Sequence, residues 1–141
     1  MSGVRQWQDK HGSYQLKANE QFIEAVIVGA VGDNITQRFY KDICDLAMSY
    51  SGRPFGYLAD MRKMEGYTED AQRTIEHAYK MCLQLGCVID AMMIESPMVK
   101  AQMQTVNNAV DIDLPLEVRL FKERHDAIAF IEKVIKKSSG V

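Results

Sequence analysis

Three short apolar runs, each followed by an amphipathic helix pattern, constrain this chain more than any other feature of its 141 residues. The runs are residues 22–31 (FIEAVIVGAV), 55–61 (FGYLADM) and 88–94 (VIDAMMI). Each has the length of a strand, and the third is interrupted only by Asp90, as suits strands covered on both faces. Behind the first run, Ile35, Phe39, Ile43, Leu46, Ala47 and Tyr50 recur at spacings of three and four. Behind the second come Ala71, Ile75, Ala78, Cys82 and Leu85, and behind the third Val99, Met103, Val106 and Val110. Each set is one apolar stripe on a helix. Stop and start signals agree with this division. Gly32, Asp33 and Asn34 end a strand and cap a helix, and Gly52 and Pro54 close that helix. Thr68 caps the next, with Glu69 and Asp70 in its first turn and Gly86 at its end. Ser96–Pro97 opens the third. Strands joined in series by helices are parallel and connected by right-handed crossovers.

The two ends complete the pattern. Residues 14–17 alternate apolar and polar, and a turn at Asn19–Glu20 makes them the first arm of a hairpin with residues 22–31. Residues 116–121 alternate as a half-exposed edge strand, and Ala127, Phe130, Ile131 and Val134 mark a closing helix, with Lys136 and Lys137 complementing its C-terminal dipole. The expected order is ββαβαβαβα, an α/β fold around a mixed, mostly parallel sheet. Residues 1–11 read as a flexible polar arm with Trp7 packing on the domain edge, residues 12–137 as a single domain, and residues 138–141 as a tail. A chain of this length buries roughly 70% of its unfolded surface, so it needs neither metal nor disulfide to hold a core.

Several function classes are excluded at this stage. The net charge is -2 with both signs interleaved, and no basic stripe addresses nucleic acid. No apolar stretch approaches the roughly 20 residues of a membrane span. The opening residues MSGVRQWQDKHG lack the apolar segment of a secretion signal. Three cysteines, Cys44, Cys82 and Cys87, form no CxxC pair and read as reduced thiols, which places the chain in the cytoplasm. His11, His77 and His125 have no metal spacing. Gly29–x–x–Gly32 lacks the tail of a phosphate loop, and no Gly–x–Ser–x–Gly occurs. The expectation is a binding protein and not an enzyme, with no cofactor and no metal.

Ligands of parallel sheets gather at the carboxyl ends of the strands. The candidates there are Asp33, Asn34, Asp60, Arg62, Tyr67, Thr68 and Ser96, within a rim that includes Glu65, Glu95, Lys122 and His125. Asp60 and Arg62 either hold an anionic ligand through Arg62 or tie down their own loop by pairing. Thr68 is a helix cap, and a phosphate on it would gain from the helix N-terminus and from Arg62 and Lys63. The stretch DMRKMEGYT, residues 60–68, reads as a nine-residue loop, longer than the roughly 2–6 residues usual for such a connection. Nine methionines, seven of them between residues 61 and 103, make either a forgiving core or an adaptable apolar pocket.

Three stretches resemble the SpoIIAA-like group, which includes STAS domains: the hairpin ending in VGAVGDN before a helix, FGYLADMR at the third strand, and PLEVRLFKERHDAIAFI. The last is similar to that group's closing strand and Ala–x–x–Trp–Leu helix, with Phe130 and Ile131 in its final places. The resemblance spans roughly residues 12–135. It implies a β-α superhelix around a mixed sheet and a non-catalytic binding or regulatory role. In regulatory members a serine or threonine at the start of the second helix is phosphorylated and controls binding to a kinase partner. Where those carry an Asp-Ser-Ser-Gly-like sequence this chain has DMRKMEGYT, so Thr68 takes that place after a longer loop. A wider structural neighbourhood resembles SEC14-type lipid carriers, which implies the alternative of a small apolar or lipid-like ligand. The expected partner is thus a protein or a small apolar molecule, with monomer and homodimer both open.

Overall fold

The computed structural model describes residues 3–138. Five strands form one sheet in the order β1-β2-β3-β4-β5. β1 (Val4–Gln8), β2 (Gly12–Ala18) and β3 (Phe22–Val31) form an antiparallel meander. β4 (Phe55–Tyr67) and β5 (Cys87–Ile94) then add in parallel to β3 and to each other. α1 (Asp33–Met48), α2 (Glu69–Gln84) and α3 (Pro97–Val110) share one large apolar cluster with the sheet. α4 (Arg124–Ser138) covers the other face through a separate cluster. This is the mixed α/β architecture expected from the sequence.

Alternation along the inner strands divides the two cores. Tyr57, Ala59 and Met61 of β4 and Met92 of β5 belong to the α1–α3 side, whereas Leu58, Ala91 and Met93 meet Ala127 and Ile131 of α4. On that second side packing is close. A Cβ on Gly56 would lie 2.5 Å from Ile131 Cγ2, so glycine is what lets α4 lie against β4.

Three segments differ from their sequence reading. Val4–Gln8, expected in a flexible arm, is an edge strand paired with β2 from Val4↔Lys17 to Gln8↔Ser13. Its side chains are mostly exposed, so it carries no apolar alternation to read. Residues 60–67, expected as a loop, continue β4. Two register irregularities in the β3/β4 pairing, between Val26 and Val28 and between Gly29 and Ala30, break the alternation there. Buried residues then fall at Met61, Met64 and Tyr67, a spacing of three that hides the strand. Residues 116–121, expected as a last strand, contain a 3-10 turn, Leu116–Arg119. Only Leu120 bridges to Met92, with the Phe121 N–H donating to the Met92 carbonyl at 2.9 Å. In such a turn residues three apart share a side, so Leu116 and Arg119 point inward while Val118 is 49% exposed. The tail expected at 138–141 lies, beyond Ser138, outside the described residues.

Candidate functional site

The rim at the carboxyl ends of the parallel strands holds the residues singled out by sequence, and most have structural duties. Ser96 and Thr68 are the N-caps of α3 and α2, accepting hydrogen bonds from the N–H groups of Val99 (3.3 Å) and Ala71 (3.2 Å). Asp33 and Asn34 are the exposed first residues of α1 and do not cap it. Gly32 occupies the N-cap without a side chain, and the Thr36 hydroxyl donates to its carbonyl at 3.1 Å. Asp60 and Arg62 pair with each other, Arg62 donating from Nε at 3.0 Å and from Nη2 at 2.8 Å. That fork, with the Arg62 N–H, holds the Asp60 carboxyl below its ordinary pKa. Tyr67 is no surface aromatic. It is 8% exposed, and a side-chain amide fastens its backbone. The Tyr67 N–H donates to Gln102 Oε1, and Gln102 Nε2 donates to the Tyr67 carbonyl, both at 2.8 Å. The structure therefore brings together Asp60 and Arg62, leaves Asp33, Asn34, Thr68 and Ser96 as separate helix starts, and sends the Tyr67 side chain inside.

There it reaches a cavity of about 250 Å³ between α2, α3 and the sheet. Its inner wall is apolar and sulfur-rich: Phe39 and Ile43 of α1, Met61 of β4, Ile75 and Ala78 of α2, and Met103 of α3. Its outer lining includes Leu83, Val88 and Leu114, which are 44%, 40% and 38% exposed. The opening thus lies where α2 ends, β5 begins and the chain leaves α3. This is the amino end of the parallel strands, opposite the rim.

Asp90, Arg119 and Tyr79 of the cavity lining form one network that the sequence reading missed. Asp90, in the middle of β5, pairs with Arg119 of the 3-10 turn at 2.5 Å, and the side chains are 9% and 1% exposed. The Tyr79 hydroxyl donates to the other Asp90 oxygen at 3.1 Å. Arg119 also donates to the Asn107 side-chain oxygen of α3 and, at 3.4 Å, to the Leu114 carbonyl. Burial pushes the Asp90 carboxyl above its ordinary value, while Arg119 and Tyr79 pull the other way. A charged residue inside an apolar strand signals such a partner, but Arg119 lies 29 residues further on, in a segment that reads as an exposed edge.

The buried thiols and phenols of the cavity are held protonated. Burial raises the Cys82 thiol to about 12 and Cys87 well above the ordinary thiol value, so both stay protonated at neutral pH. Tyr57, Tyr67 and Tyr79 are likewise raised by burial. Among the described residues no serine, threonine or cysteine bonds to a histidine, and no three metal-ligating side chains group together. No described helix is long and apolar enough to cross a membrane.

Known structures share this architecture. The chain is similar to the anti-sigma factor antagonist SpoIIAA in its unphosphorylated form, with a TM-score of 0.65 at 9% identity over 86% of this chain and 97% of that one. It is similar to an anti-sigma factor antagonist from Mycobacterium paratuberculosis, at a TM-score of 0.58 and 11% identity over 92% and 95% of the two chains. A third likeness is an uncharacterised DUF3478-family protein with a SpoIIAA-like fold from Shewanella loihica, at 0.55 and 12% over 92% and 93%. No family model and no curated protein matches the sequence.

Proposed function

From the SpoIIAA-like fold and the site geometry we propose that this chain is a non-catalytic, cytoplasmic SpoIIAA/STAS-like binding module, and that it encloses a small, largely apolar molecule. One observation carries this reading: a surface-reaching void of about 250 Å³ in a core that is otherwise closely packed. Protein interiors leave few voids larger than a water molecule. One of this size forfeits dispersion contacts along its whole lining unless an apolar guest restores them. The methionines Met61 and Met103 give that lining the adaptability a guest needs.

Volume limits the guest. A dry cavity of about 150 Å³ accepts benzene, so by proportion this one takes on the order of ten heavy atoms. That is less than a long acyl chain, and the lipid-like form of the ligand finds no support here. Thermal melts with indole and with palmitate test the reading. Indole should raise the melting temperature of the wild type by mass action and leave Ala78→Leu, whose added carbons occupy the void, unmoved. Palmitate should have no effect on either. Equal shifts in both proteins, or none in the wild type, would overturn the proposal.

A second reading rests on Thr68, which is exposed at the first turn of α2. That is the place of the phosphorylated residue in the regulatory proteins this chain resembles, and it favours a protein partner docked on the carboxyl-end rim. Phosphopeptide mapping of the protein purified from its own host should then find phosphate on Thr68.

A further inference from the structure

The buried tyrosines of this molecule differ in one respect that bears on the guest. Tyr14 donates to Asp42 at 2.6 Å, Tyr50 to the Asn19 carbonyl at 2.8 Å, Tyr79 to Asp90 at 3.1 Å, and Tyr67 approaches the Met61 sulfur at 3.9 Å. Tyr57 lines the cavity from the middle of the sheet, is 7% exposed, and stands edge-on to Tyr79 with ring centres 6.0 Å apart. Its hydroxyl has no hydrogen-bond partner among the described residues. A buried tyrosine ordinarily finds one, and phenylalanine would pack equally well without the polar group.

We infer that the cavity selects a neutral, ring-bearing alcohol or phenol of about two fused rings, and that the Tyr57 hydroxyl is the group that recognises it. The inference rests on the binding reading above and adds to it a ligand chemistry. Size follows from the volume. Neutrality follows from the charges. The two inner charges, Asp90 and Arg119, are paired with each other: one Asp90 oxygen takes Arg119 and the other takes Tyr79, while the two terminal nitrogens of Arg119 take Asp90, Asn107 and Leu114 and only its Nε–H is left without a partner; the remaining charge of the lining, Asp113, is exposed. A charged guest would give up its water shell in a lining whose inner charges are already paired, with no free counter-charge to offset that cost. What stays uncommitted at the lining is hydroxyl chemistry, with the Arg119 Nε–H as one further donor. Tyr57 can donate and accept, and Tyr79, having donated to Asp90, still presents acceptor capacity. A guest hydroxyl can bond to either, while its rings lie against Phe39, Ile75 and Met103.

Fluorescence titrations with 2-naphthol and naphthalene test this. The wild type should bind 2-naphthol roughly tenfold tighter than naphthalene, the worth of one net hydrogen bond. Tyr57→Phe should remove that preference while binding naphthalene as before, and Ala78→Leu should bind neither. In the wild type alone, 2-naphthoate and 2-naphthylmethylammonium should bind at least tenfold more weakly than 2-naphthol, a measurement that holds even if Tyr57→Phe does not fold. If naphthalene binds and 2-naphthol shows no preference, if the preference survives in Tyr57→Phe, or if a charged analogue matches the alcohol, the assignment of Tyr57 and of a neutral hydroxyl falls while the cavity remains a binding site. If no naphthyl compound binds the wild type, both readings fall together.

Discussion

β4 contributes Leu58 to one face of the sheet and Tyr57, Ala59 and Met61 to the other, and the two faces are filled differently. Against α4, seven buried residues close without room for a single added carbon at Gly56. Against α2 and α3, larger side chains leave a void of about 250 Å³ whose lining includes the buried Asp90–Arg119 pair, two thiols and three phenols. The buried cluster under α4 contains no ionisable group at all. One strand thus serves a scaffold on one side and a receptive interior on the other. The difference arises from what faces it and not from its own alternation, which is the same for both.

Alkaline pH should separate the faces most. Tyr57, Tyr67, Tyr79, Cys82 and Cys87 all line the cavity and all have folded-state pKa values raised by burial. The native protein keeps protons that the unfolded chain releases. Their contribution is therefore intact below the ordinary thiol value of 9.0 and phenol value of 10.0, and is lost as pH rises through the folded-state values. Urea melts should show stability falling steeply above about pH 9. Hydrogen exchange should show α2 opening before α4; simultaneous opening would mean that the faces are not separable.

Next in size is Arg119→Ala. It leaves Asp90 buried and without its main partner, at a cost of about 3–5 kcal/mol. A urea melt showing less than about 1 kcal/mol would move the pair out of the core and onto the surface.

Additions of volume should give opposite answers on the two faces. Gly56→Ala adds one carbon under Ile131 and should cost about 1–3 kcal/mol. Ala78→Leu adds three carbons on the cavity side and should cost less than about 1 kcal/mol, because it fills space that is already there. If the larger addition proves the more harmful in chemical denaturation, the cavity is not free volume.

The smallest effect is expected at the rim. Arg62 is 37% exposed and pairs only with Asp60, two residues away. Such a pair contributes roughly 0–1 kcal/mol. Arg62→Ala should leave the melting temperature within about 2 °C of the wild type, and a larger drop would make the rim part of the scaffold.

Much of this organisation is legible along the chain. The 22–31 and 88–94 runs, the stripes of α1, α2 and α3, and the Thr68 and Ser96 caps stand where their patterns place them, because each is a local matter of period and terminal hydrogen bonds. Patterns failed where the local signal was absent or misleading. Val4–Gln8 is an edge with little to bury. Residues 62–66 alternate out of phase because the β3/β4 pairing slips twice. Residues 116–121 satisfy a two-residue period on paper, yet the chain buries Leu116 and Arg119 at a spacing of three, because Arg119 must reach Asp90. Tyr67 read as a loop aromatic and became part of the interior once its loop became strand.

By itself, then, the sequence determined the α/β class and the succession of the inner strand and helix units. Only the tertiary structure decided where the cavity lies and which way it opens. A helix cap is set by neighbours one to four residues away, but a cavity is a difference between the volumes of side chains such as Phe39, Ile75, Met103 and Leu114 and the space that the surrounding elements enclose. Nothing in the local pattern encodes that difference, just as nothing in β5 alone says that the charge of Asp90 will be answered from the turn after α3.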